Sequence, residues 1–157
     1  MATITLQAAR AAHDEDAKIG YYPEAASQSF KQGQVVYLNS GALTVCASDA
    51  TTLIGIANRD ASGNTGTMIP VVKAYADTEF IMNVYHGTPG DAVSAWTLID
   101  TGPWALVVAN NKCYVDISDD SHDAINIVEM YEGDTVGDTY GRVIVKFLAA
   151  VSQVEDI

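Results

Sequence analysis

The chain has 157 residues, 48% of them apolar, and sets twenty acidic residues against eight basic ones for a net charge of −12. That length predicts one domain with a terminal arm, and folding would bury roughly 68–70% of the unfolded surface, enough for a core without staples. No Lys/Arg run occurs anywhere, which speaks against nucleic acid and anionic membrane as partners, since both are bound through clustered cations.

The opening MATITLQAARAAHDEDAKIG lacks the basic start and apolar run of a signal peptide, and no stretch reaches the 18 or so apolar residues that span a bilayer. The expectation is a protein made and kept in a cytoplasm. Residues 1–29 are rich in Ala, Gln and acidic side chains and read as an N-terminal arm, with one short helix over Leu6–Lys18. Tyr21-Tyr22-Pro23 would end any helix, because proline disfavours the helical region at the residue before it. Such an arm would pack on something larger, a neighbouring subunit for example.

From Phe30 the pattern turns to strands, and residues 30–157 read as the main domain. Val35–Leu38 is β-branched and aromatic, Asn39-Ser40-Gly41 supplies a turn with Gly41 at positive φ in a three-residue hairpin, and Ala42–Ala47 returns with Leu43 and Val45 in alternation. Leu53–Ala57 is the next strand. Asn58–Thr67 is polar and glycine-rich and predicts an exposed, mobile loop. Met68–Ala76 and Phe80–Tyr85 follow as strands. The second half repeats the theme: Trp104–Ala109, a turn at Asn110-Asn111-Lys112, Cys113–Val115, an acidic turn at Ser118–Asp123, then strands at Ala124–Met130 and Gly141–Val151 around a glycine-rich acidic loop. The order of hairpin, acidic turn, strand, glycine loop and apolar strand thus occurs twice, roughly 70 residues apart, as a duplication or as the regular spacing of any small barrel. The predicted class is all-β (β-dominated), a small β-barrel or sandwich with an N-terminal arm.

No P-loop, dinucleotide fingerprint, nucleophile elbow, H-E-x-x-H or C-x-x-C motif is present. His13, His86 and His122 are far apart, and none has a second histidine at metal-ligand spacing. His122 lies among Asp119, Asp120 and Asp123, whose carboxylates suit calcium, but the segment lacks the glycine and closing glutamate of a calcium loop and reads as a solvated turn. Glu129, Glu132, Asp134 and Asp138 form a second acidic group in a glycine-rich loop, a poor setting for a paired acid and base. The expectation is no enzyme, no metal and no cofactor. Cys46 and Cys113 sit in apolar strands and read as buried thiols. Candidate contact residues are Tyr21, Tyr22, Phe30, Trp96 and Trp104. Trp104 borders a strong strand and could equally be a core anchor, whereas Trp96 follows a loop; Tyr75 and Tyr85 are open between core edge and surface.

The runs GQVVYLNSGALTVCASDATTLIGIA, WALVVANNKCYVDIS and GDTYGRVIVKFL together resemble the head decoration, or capsid cement, proteins of tailed bacteriophages, over roughly residues 30–150. The resemblance implies a small, β-rich homotrimer on the outer surface of the virion, assembled in the host cytoplasm and bound to the major capsid protein, with no catalytic residues. Alternatives are a receptor- or glycan-binding head-fibre module using Trp96 and the loop Ser62–Thr67, a tail or head-completion protein, and a hydrolase using Asp120 and Glu129.

Overall fold

A computed structural model describes residues 6–13 and 17–154. Among the described residues, eleven strands carry the fold, as the all-β expectation required: β1 (Arg10–Ala11), β2 (Ile19–Pro23), β3 (Val35–Asn39), β4 (Ala42–Val45), β5 (Gly55–Ala57), β6 (Met68–Lys73), β7 (Phe80–Tyr85), β8 (Ala105–Ala109), β9 (Lys112–Asp116), β10 (Ile125–Met130) and β11 (Arg142–Phe147). One helical turn, α1 (Thr97–Asp100), and a 3-10 turn, Ala149–Val151, complete them.

The strands form two sheets, ordered β2-β6-β5-β3-β4 and β10-β11-β7-β9-β8. Each is closed into a ring by a single bridge. Glu24 just beyond β2 pairs in parallel with Leu43 of β4, where the Ala25 N–H donates to the Leu43 carbonyl at 3.0 Å. Trp104 just before β8 pairs antiparallel with Ile125 of β10 through two reciprocal bonds of 2.7 and 2.9 Å. The result is two five-stranded barrels, here barrel 1 and barrel 2, in place of the one barrel or sandwich expected. Their wiring is the same. Matching β2–β6 in order with β7–β11, every neighbour pair recurs with the same sense, including the one parallel pair, β2 with β4 and β7 with β9. The twofold order legible in the sequence is therefore a repeat of structure.

The two hairpins show how short-range chemistry fixes this. Asn39 pairs with Ala42 and Ala109 with Lys112, so each loop has two residues, not the three expected of the first. Ser40 and Gly41 (φ 52° and 83°) and Asn110 and Asn111 (52° and 59°) all lie in the left-handed region, as a primed turn matched to strand twist demands. Barrel 1 is filled by Phe30, Val36, Leu43, Ile54, Ala57, Ile69, Val71 and Val154. Its outward residues Val35, Ile56 and Val72 belong to a larger core shared with barrel 2, where Phe80 meets Phe147 edge-on at 5.3 Å.

Residues read as an arm are built into this frame. β2 is one of the five strands of barrel 1, so the boundary expected at residue 30 falls inside a barrel. The described part of Leu6–Lys18 is not helical; 14–16 lie outside the described residues. Arg10 and Ala11 instead pair with Ile81 and Phe80 of β7, continuing the edge that β9 covers further along. At the other end, Ser152 pairs with Leu53, Gln153 exchanges two side-chain bonds (2.8 and 2.9 Å) with the Leu38 backbone, and Val154 enters the barrel 1 core. A segment preceding barrel 1 thus adds to barrel 2, and one following barrel 2 adds to barrel 1. The larger body on which the N-terminal segment packs is the chain's own second barrel.

Candidate contact surfaces

Of the five predicted contact residues, the fold removes two. Phe30 and Trp104 are buried, Phe30 within barrel 1 and Trp104 at the seam of barrel 2, where its indole N–H donates to the Leu98 carbonyl at 3.2 Å. Neither ring is offered to a partner. Tyr22 is half-buried, its ring packed against the barrel 1 core. Tyr21 and Trp96 remain, each 63% exposed.

Tyr21 does not stand alone. Directly opposed residues of an antiparallel pair share a face, and the register sets Ile19 against Val72, Tyr21 against Pro70 and Pro23 against Met68. Ile19, Tyr21 and Met68 are 42%, 63% and 48% exposed, so the outer face of β2 and β6 is an apolar stripe. Neither strand contains a carboxylate. Arg59 reaches one end of the stripe, whereas Lys18 and Lys73 stand on the other face of the strand pair, beside Gly20 and Tyr22. Lys18 and Lys73 lie over the Tyr75 ring at 6.0 and 5.7 Å, and Arg59 donates to the Met68 carbonyl. Burial works against the Lys73 charge, but the Tyr22 and Tyr75 phenols hold its pKa above the ordinary value. A cation cluster absent from the sequence is thus present on the surface, assembled from residues 55 positions apart.

The loop Asn58–Thr67 is largely exposed, as expected, but it is anchored. Glu24 is buried, and its carboxylate accepts from the Ser62 N–H (2.8 Å), the Ser62 hydroxyl (2.9 Å) and the Gly63 N–H (2.7 Å). Backbone bonds from Gly66 to Glu24 and from Ala61 to Phe30 hold it further.

The acidic turns of the two repeats meet. His122 Nδ1 lies 2.7 Å from Asp119 Oδ2 and 3.8 Å from Asp49 Oδ2, so its close companions are Asp119 and a carboxylate of the other repeat, in place of Asp120 and Asp123. Its hydrogen bond with Asp119 raises the His122 pKa, with Asp49 and Asp123 adding to the effect. Asp119 is held down to about 2, first by the Ser121 backbone N–H and then by His122. The cluster is suited to keeping a proton between two carboxylates. Beside it a cavity of about 300 Å³ is lined by Tyr37, Cys46, Ser48, Thr51 and Thr52 among others. Burial, with Cys113 adding to it, pushes the Cys46 thiol up to about 12, so the sulfur is no nucleophile at neutral pH. Both cysteines are buried and unbridged.

The acidic loop after β10 is structural in part. Asp134 takes two bonds from the Arg142 guanidinium (2.8 and 2.9 Å), which lies over the Tyr131 ring at 4.6 Å; Asp138 accepts from the Thr135 N–H. In comparison with known proteins, no protein-family model, no curated protein and no solved structure matches this chain.

Proposed function

We propose that the chain is a structural virion protein, a decoration or cement protein that binds the outer surface of a phage head as a homotrimer and stabilises contacts between major capsid subunits. The observation that carries this reading is the crossed frame: with segments from both ends built into the opposite barrel, load applied to either barrel is shared by the other. A protein that works by adhesion under internal pressure needs that property, and one that turns over a substrate does not. The net charge of −12 supports an exterior position, because packed DNA repels it. Three linked copies meeting three equivalent shell sites would gain roughly 10²–10⁴-fold in avidity with no new type of contact. Electron cryomicroscopy of undecorated heads mixed with the protein tests the reading. Added density at regular lattice positions is expected, and bare heads at high protein excess would refute it.

The exposure of Trp96 favours one second reading, a glycan-binding head-fibre module, since an indole in solvent is a ready platform for a sugar ring. Saturable hits on a glycan array, lost in Trp96→Ala, would support it over the first.

A further inference from the structure

β3 and β4 pair in register from Asn39 with Ala42 to Val36 with Val45, so the next rung of the ladder is Val35 with Cys46. Opposed residues at such a rung exchange two bonds. Cys46 makes one of them, its N–H donating to the Val35 carbonyl at 2.9 Å. The Val35 N–H donates instead to Cys113 Sγ at 3.2 Å. The N–H and C=O of a strand residue point to the same side, so the Cys113 sulfur stands where the Cys46 carbonyl would close the rung. A thiol of barrel 2 is thus seated beside a thiol of barrel 1.

Both side chains belong to the shared core, but they differ in access. Cys113 is wholly enclosed. Cys46 borders the cavity of about 300 Å³, and its thiol donates to the Thr52 carbonyl at 3.5 Å. The segment over it, residues 47–52, is exposed except for the half-buried Ala50. A surface segment of this kind opens at a lower free-energy cost than the strands beneath it. Burial pushes both thiols up to about 12, and the Cys113 charge adds to the rise at Cys46, as close neighbours require. In the closed fold both sulfurs are therefore protonated and inert; opening of 47–52 returns Cys46 to the ordinary thiol range.

We infer that Cys46 and Cys113 form a redox latch between the two barrels, bridged by exchange with a low-molecular-weight disulfide that enters beside Cys46. When the segment opens, the Cys46 thiolate attacks one sulfur of the small disulfide. One small thiolate leaves and takes up the proton that Cys46 gave up. Reclosing sets the mixed disulfide against Cys113, whose thiolate displaces the second small thiol; the enforced proximity offsets its raised pKa. Two cysteine thiols are oxidised to one disulfide, the small disulfide is reduced to two thiols, and both protons end on them. An excess of small thiol runs the same steps backward, so the latch stays open in a reducing compartment and closes outside one. The bridge joins the end of β4 to β9, adding a covalent tie to the segments that already cross between the barrels.

Incubation of the reduced full chain with hydroxyethyl disulfide at mildly alkaline pH, followed by intact mass and peptide mapping, tests it. The wild type is expected to lose two hydrogens, keep no adduct and yield a Cys46–Cys113 linked peptide. Its melting temperature should rise by roughly 5–10 °C and fall back on addition of dithiothreitol. Cys113→Ala is expected to stop at the mixed disulfide on Cys46, and Cys46→Ala to react about tenfold more slowly than wild type or less; melts of the reduced variants check folding. A wild type that keeps the adduct, links into dimers or does not react overturns the inference. So does a bridged chain that melts no higher than the reduced one.

Discussion

Barrel 1 and barrel 2 share their strand wiring and little else. Barrel 1 has a small core of its own and leaves Ile19, Tyr21 and Met68 exposed on its outer side, and it closes through one parallel bridge; barrel 2 merges its interior with the common core, closes through two reciprocal bonds at Trp104, and carries nearly all the net charge. The lesson is that this topology is specified by few positions. Two-residue turns with positive φ, an inward alternation and a place for the parallel strand suffice, and surface and charge diverge around them.

That difference is sharpest in the cores. Phe80→Ala, in the shared core against Phe147, should cost about 3–5 kcal/mol and loosen both barrels, whereas Phe30→Ala, at a similar cost, should loosen barrel 1 first. Hydrogen exchange followed by mass spectrometry separates the two; identical protection losses would mean that the barrels unfold as one unit. Next is Glu24. In Glu24→Ala the donors at Ser62 and Gly63 lose a charged acceptor, at a cost of about 2–3 kcal/mol, and proteolysis should begin in Asn58–Thr67 with barrel 2 intact. Cleavage unchanged from wild type would show that the backbone bonds alone hold the loop. Gln153→Ala removes two bonds to Leu38 and should cost about 1 kcal/mol, read as a lower urea midpoint with faster exchange in barrel 1 only.

The smallest effect belongs to the Asp49–His122–Asp119 contact between the repeats. The His122 pKa is raised above its usual 6.5, so its contribution is full below that value and fades as pH rises through the folded pKa. Asp119, held at about 2, contributes fully above 3.8, and the contribution is lost as pH falls through 2. The contact is therefore strongest between pH 3.8 and 6.5. Proton NMR should show His122 titrating above the ordinary value, and lower in Asp119→Asn than in wild type. Titration at the ordinary value in the wild type would remove the contact from the account.

Both hairpins were legible in the sequence because they depend on neighbours: alternation in Val35–Val45 and Ala105–Val115, and turn residues between. β2 was not, since Ile-Gly-Tyr-Tyr-Pro has glycine and proline where a strand signal should be, and only its partner β6 makes it one. The alanines of Leu6–Lys18 read as helix, but a two-residue pairing with β7 carries no local signature and outweighs weak propensity. Composition made Asn58–Thr67 look mobile; the residue that pins it, Glu24, is 38 positions away from Ser62. The contact stripe failed for the same reason. Tyr21 was visible as an exposed aromatic candidate, but Met68 comes to lie diagonally beside it, and Lys18 opposite Lys73, only when β2 pairs with β6.

The crossing of segments between barrels has a mechanical corollary. A nick in the short link from Ala74 to Glu79 would not release two halves, since each fragment would still hold a strand or core residue of the other. The connection that looks like a tether in chain order is dispensable to cohesion, and the clasp lies elsewhere, at Arg10–Ala11 on β7 and at Ser152–Val154 on barrel 1.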